Sequence, residues 1–94
     1  MEFEWDLAKA ASNLVKHGID FVAATVIFDD PHHTEKNSTR PEHGEARFIA
    51  IGMMNDGRLI TVVFTDRDGL RRIISARTAR NYERREYDQG KTSA

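Results

Sequence analysis

Leu70-Arg71-Arg72-Ile73-Ile74-Ser75-Ala76-Arg77-Thr78-Ala79-Arg80-Asn81-Tyr82-Glu83-Arg84-Arg85-Glu86-Tyr87 begins as a strand and is expected to finish as a helix. Residues 71–85 hold six arginines against one acid, Glu83. With Ser75 or Thr78 as the helix cap, Arg77, Arg80 and Arg84 recur at helical spacing and share a face, with Tyr87 one turn further on. A guanidinium stays protonated and its planar fork matches two phosphate oxygens, so such a row suits a polyanion, RNA first. The alternative is a solvated charged helix with local Glu–Arg pairs. Against it, only Ala76, Ala79 and Tyr82 offer apolar docking, and a helix polar on nearly every side must be mobile, or covered by ligand or partner.

Composition bounds the rest. A chain of 94 residues, 39% hydrophobic and 31% charged, fits one soluble domain over residues 1–94 with a small core. The absence of cysteine excludes disulfides and thiolate metal sites, consistent with a reducing compartment. The acidic start, Met1-Glu2-Phe3-Glu4-Trp5-Asp6, is unlike a signal peptide, and no apolar run approaches membrane-spanning length, so a cytoplasmic protein without membrane contact is expected. The net charge of −1 hides an asymmetry: residues 1–45 hold nine acids and four bases (−5), residues 46–94 six acids and ten bases (+4). Steering follows the local field, so the basic half is where a polyanion is expected. The acidic half reads as a solubility feature.

Outward from that stretch, Asn55-Asp56-Gly57 and Arg67-Asp68-Gly69 are turn signals around Ala46–Met53, Arg58–Thr65 and Leu70–Ser75, three segments rich in β-branched and aromatic residues. They predict an antiparallel meander. Phe3-Glu4-Trp5 alternates like a short strand, with Trp5 a core residue, and Asp6 caps a helix running to about His17 that Gly18 ends. Its apolar stripe is Leu7, Ala11, Leu14 and Val15, with Lys9, Asn13 and Lys16 lying away from it. Asp20 caps a second helix, Phe21–Phe28, apolar on all sides and expected to be buried; Asp29-Asp30-Pro31 stops it. His32–Gly44 reads as a polar loop with an optional edge strand at Thr34–Lys36, its histidines His32, His33 and His43 solvated. The expected class is α+β in the order β-α-α-β-β-β-α. Two N-terminal helices pack on three to four antiparallel strands, the arginine-rich helix comes last, and Gly90–Ala94 form a frayed tail.

Several ordered blocks resemble the BrnT family of toxins. They are Phe3-Glu4-Trp5-Asp6 with Lys9; Asn13-Leu14 with Lys16-His17-Gly18 and Phe21; and Val26-Ile27-Phe28-Asp29-Asp30-Pro31. Glu45 with Arg47-Phe48-Ile49-Ala50-Ile51-Gly52, Val63-Phe64-Thr65 with Arg67, and Arg72-Ile73-Ile74-Ser75-Ala76-Arg77 with Ala79, Arg80, Glu83, Arg84 and Tyr87 continue the likeness. The resemblance implies a RelE-like type II toxin acting as a ribonuclease that inhibits translation. Its implied partner is a BrnA antitoxin with a ribbon-helix-helix domain, through which the complex would bind DNA and repress its own operon. On this basis Arg67, Arg77, Arg80 and His17 are the expected catalytic residues, and Lys16, Arg47, Arg71, Arg84 and Tyr87 the expected RNA contacts. Asp66 and Asp68 weaken the field of Arg67. Arg71 and Arg72 must point to opposite faces; unbroken alternation favours Arg71 beside Arg77, and a bulge would reverse this.

RNA cleavage without metal or other cofactor needs a proton acceptor for the 2′-hydroxyl, positive charge on the phosphorane and a donor for the leaving oxygen. Arginine supplies the charge and is a poor proton carrier. His17, Lys16, Glu45, Glu83 and Tyr87 are candidates for the proton, His17 first because imidazole titrates near neutrality, although two cations in a last helical turn, Lys16 and His17, also simply suit the helix dipole. Tyr82 and Tyr87 could stack on bases or simply pack. One rival is a metal-dependent nuclease built on Asp29, Asp30, His32, His33 and Glu45, whose spacing matches no recognised ligand set. The other is a binding module whose basic surface docks an acidic antitoxin without catalysis.

Overall fold

The computed structural model describes residues 1–92. The chain forms β1 (Glu2–Glu4), α1 (Leu7–His17), and α2 (Phe21–Ala24), which tightens into a 3-10 turn over Thr25–Asp29. There follow β2 (Thr34–Asn37), a 3-10 turn at Pro41–His43, β3 (Phe48–Met53), β4 (Leu59–Arg67), β5 (Leu70–Thr78) and α3 (Asn81–Thr92). One sheet of five strands runs β1-β5-β4-β3-β2. The β3-β4-β5 meander is antiparallel as expected, and the optional edge strand exists as β2. The expectation of three to four antiparallel strands is corrected at the other edge, where β1 lies parallel to β5 and makes the sheet mixed. A parallel pair needs a long crossover, here residues 5–69, about two-thirds of the chain, and no local pattern reveals such a partner.

The main core lies between one sheet face and the α2 segment. Phe21, Ala24 and Ile27 pack on Ala50, Ile60, Val62, Phe64, Ile73 and Ala76, with Trp5 edge-on to Phe21 at 6.0 Å. Gly52 of β3 makes the close approach possible. A Cβ there would lie 2.7 Å from Cβ of Ile27 and 3.2 Å from Cβ of His33, so any side chain would push the 3-10 turn off the sheet. The expected buried helix over 21–28 is corrected in part: Phe21, Ala24 and Ile27 are buried, but Val22 is exposed.

Helix α1 departs further from its expectation. Asp6 caps it by accepting from the Lys9 N–H at 3.0 Å, and Gly18 ends it in a left-handed conformation with its N–H on the Leu14 carbonyl at 2.8 Å. Yet Leu7, Leu14 and Val15 face solvent and Asn13 is the buried residue. β1 covers β5 only as far as Arg72, which leaves the later edge of β5 bare. Asn13 fills that gap like a short strand: its amide accepts from the Ala76 N–H at 3.1 Å and donates to the Ala76 carbonyl at 2.9 Å and the Ile19 carbonyl at 3.1 Å. Satisfying buried backbone groups outranks hiding the aliphatic stripe.

The arginine helix is corrected as well. β5 continues to Thr78 and α3 begins at Asn81, so Arg77 belongs to the strand and shares no helix face with Arg80 and Arg84. Gly90–Thr92 continue α3 rather than fraying; Ser93 and Ala94, also assigned to the tail, lie outside the described residues. Nor is the helix without anchorage. Ala79 and Tyr87 pack with Ile51, Leu59 and Met53 on the second sheet face.

Candidate functional site

α3 covers only one end of that second face, and the uncovered part is the floor of a cleft of about 360 Å³. Alternation brings Ile49, Val63 and Ser75 to the floor, with Arg77 beside them. Arg80, just before α3, and Tyr82 in its first turn line one wall; Arg40, His43 and Arg47 from the loop after β2 form the other. That loop is zipped at its base. The Thr39 hydroxyl accepts from the Arg47 N–H at 2.8 Å, and the Arg47 carbonyl accepts from the Ser38 N–H at 2.8 Å.

Arg77 is held by Glu83, whose oxygens accept from its two terminal nitrogens at 2.7 and 2.9 Å. Glu83 is 0% exposed and also accepts from the Arg80 N–H at 2.8 Å, as a carboxylate three residues into a helix does. Burial works against its charge, but the Arg77 guanidinium and the Arg80 N–H outweigh that and hold its carboxyl below the usual range. The Arg80 guanidinium, by contrast, has no hydrogen-bond or ion-pair partner among the described residues. His43 is half-buried, and its Nδ1 accepts from the Arg40 N–H at 3.1 Å, which puts the neutral ring's proton on Nε2.

Of the expected catalytic residues, Arg77 and Arg80 meet in this cleft. His17 and Lys16 line a neighbouring groove that shares Ile74 and Ser75 with it, so the two grooves abut across β5. Arg67 does not join them: it lies on β4 six residues beyond Thr61, the partner of Arg77, about 20 Å along the strand. Glu45 links it to the cleft, 3.8 Å from Arg67 and 3.4 Å from Arg47. Arg84 is exposed on α3 and is not among the cleft-lining residues.

Two expected RNA contacts are corrected by their placement. A β-bulge at Ile74, opposite Val63 and Phe64, resets the alternation of β5, so Arg72 shares the face of Arg77 while Arg71 turns to the other. There Arg71 is 8% exposed, bound to Asp66 at 2.8 and 3.0 Å and to Glu35 at 3.1 Å, and stacked over Phe64 at 4.2 Å. It caps the core. Tyr87 is buried, and its hydroxyl donates to Asp30 at 2.6 Å; burial and the Asp30 carboxylate push it up to about 12, so the phenol keeps its proton at neutral pH and does not serve as a proton acceptor. Asp30 in turn accepts from the N–H groups of Met53 and His32 at 2.9 Å each.

The proposed metal ligands are similarly committed elsewhere. Asp30 serves as that hub, His33 meets Glu35 at 2.8 Å and Glu45 faces arginines. Among the described residues no three His, Asp or Glu side chains converge as ligands. Sequence reasoning missed Arg40 and His43, and treated His43 as solvated. The one signal was composition, a basic and an imidazole side chain near Pro41 in an otherwise acidic half.

Comparison with known proteins identifies the family. A family model described as the ribonuclease toxin BrnT of a type II toxin–antitoxin system matches residues 5–83. The crystal structure of the Brucella abortus ribonuclease toxin BrnT superposes with a TM-score of 0.63 at 28% identity, covering 86% of this chain and 99% of that one. No curated protein sequence matches. With the matched model spanning most of its length, the chain belongs to the BrnT family of ribonuclease toxins of type II toxin–antitoxin systems.

Proposed function

We propose that this protein is a RelE-like endoribonuclease that cuts RNA in the arginine cleft without a metal ion, and thereby inhibits translation in the cytoplasm. The observation that carries the reading is the convergence of Arg40, Arg47, Arg77 and Arg80 on a floor of small and apolar side chains, within a family of ribonuclease toxins. In the reaction the 2′-oxygen bonds to the adjacent phosphorus, the bond from phosphorus to the 5′-oxygen breaks, and a 2′,3′-cyclic phosphate and a 5′-hydroxyl result. Arg77 and Arg80 neutralise the non-bridging oxygens as charge builds there. Arg77 comes pre-oriented by Glu83, and Arg80 brings a guanidinium not yet paired. His17 in the adjoining groove takes the proton from the 2′-hydroxyl, the leaving 5′-oxygen takes one from solvent water, and His43, neutral with its proton on Nε2, donates a hydrogen bond to that oxygen while keeping the proton. Tyr82 stacks on a base at the cleft wall and Arg47 holds a phosphate beside it, while Lys16 in the adjoining groove and, outside both, Arg67 and Arg84 hold more distant phosphates of the same strand. A BrnA-like antitoxin with a ribbon-helix-helix domain silences the enzyme, and the pair represses its operon.

Arg80→Ala is the clean test, because no buried carboxylate loses its partner. Purified variant, shown by circular dichroism to be folded, should cleave RNA in EDTA about a hundredfold or more slower than the parent. His43→Ala should also be slowed, and the parent's products should end in cyclic phosphate. Parent-like cleavage by both variants would defeat the assignment of the cleft.

A further inference from the structure

The side of α1 turned away from the sheet is unexplained by the cleft. Leu7 is 81% exposed, Val15 90%, Leu14 47%, and Val22 of α2 64%. Leu7, Ala11 and Val15 recur every fourth residue and so form one line along the helix. The fold gives α1 three distinct sides: Asn13 holds it to β5, Lys9, Lys16 and His17 border the groove beside the arginine cleft, and the aliphatic line points to solvent. Three large aliphatic side chains exposed on an 11-residue helix, with Val22 of α2 as a fourth, amount to a patch, and patches of this kind mark contact sites.

The patch continues beyond α1. Ala11 and Leu14 line a groove with Trp5, Phe21 and Val22, and Val22 also lines the next groove with Val26 and Met54, so one apolar track runs from α1 across α2 to the turn after β3. Its border is acidic. Asp20 lies in the first groove, Asp29 and Asp56 in the second, against a single cation, Arg58, which is already paired with Asp56 at 2.8 Å.

We propose that this track is the seat of the antitoxin, which lays on it a helix whose apolar stripe is flanked by lysines or arginines, and that the seat is separate from the arginine cleft. The inference rests on membership of a type II toxin family, which implies a protein partner, and not on the cleft being the cutting site. Charge complementarity selects this occupant over a second copy of the chain. Two copies would set one acid-bordered track against another, while Lys9 and Lys16, which could offset it, lie on the side of α1 that faces the cleft. α1 is about 16 Å long, so three turns of a partner helix match it.

The probe is the antitoxin encoded beside this chain's own gene, titrated calorimetrically into the full chain, with RNA cleavage and sedimentation of the free chain measured in parallel. Val15→Asp and Val22→Asp, at exposed positions that leave the fold intact, should each raise Kd about tenfold or more and leave cleavage by the free toxin unchanged. Arg80→Ala should shift Kd by less than about threefold, as a residue outside the central contact does. Parent-like binding by both aspartate variants overturns the proposal. So does a free chain that sediments as a dimer dissolved by Val15→Asp, which would make the occupant a second copy. If no form cuts RNA, the nuclease reading fails, and the binding results still decide this one.

Discussion

Helices α1 and α3 invert each other. α1 carries an aliphatic line that a periodicity argument would bury, yet it is held to the sheet by the amide of Asn13 and leaves Leu7 and Val15 in water. α3 has almost no aliphatic residues, yet it is anchored by a fully buried carboxylate on Arg77 and by Tyr87 on Asp30. In a domain of this size the sheet edge and the sheet end offer unsatisfied backbone and guanidinium groups, and meeting those polar needs decides where a short helix sits. What remains exposed on each helix is then available for recognition: carbon on α1, arginine on α3.

The contrast is broken most severely at Glu83. Glu83→Ala removes the buried end of the pair and the N-terminal bond to Arg80, and should cost about 3 kcal/mol in urea unfolding, the low end for a broken buried pair because Arg77 can still reach water. Its pH dependence follows from the lowered Glu83 carboxyl. Stability from a carboxylate held below its ordinary 4.5 is complete above that value and is lost as pH falls through the folded-state value, so parent and variant should converge in acid. A gap that stays constant between neutral pH and acid would mean the ion pair is not what anchors α3.

Asn13→Ala comes next. It orphans the Ala76 N–H and carbonyl at the β5 edge and should lower stability by about 2 kcal/mol, with faster amide exchange at Ala76 as the local readout. The smallest effect sharpens the comparison from the other side. Leu7→Ser and Val15→Ser, conspicuous in the sequence, should each change the unfolding free energy by no more than about 0.5 kcal/mol, whereas burial of either side chain would make the cost several times larger.

Much of the architecture was readable from the chain because it depends on neighbours. Asp56-Gly57 and Asp68-Gly69 make the turns, with positive φ at Gly57, Asp68 and Gly69, and Asp6, Asp20 and Gly18 bound their helices as expected. Half of the cleft was readable too, since Arg77 and Arg80 stand close in sequence. The rest was hidden for specific reasons. A bulge of one residue at Ile74 reverses every later side chain of β5, and nothing in Ile73-Ile74-Ser75 announces it. Arg40 and His43 reach the cleft because the Thr39–Arg47 bonds fold their loop back across β3, a contact no local pattern contains.

The sequence by itself determined the antiparallel meander, the order of the main elements, the caps and turns that bound them, and the family, all consequences of local backbone preference and of residues kept in register along the chain. Only the tertiary structure decided which arginines meet, which of Arg71 and Arg72 is buried, and which side of α1 meets water. Those outcomes depend on competition among distant groups for the same buried space and hydrogen bonds, and that competition exists only once the sheet has closed on β1 and the helices have docked.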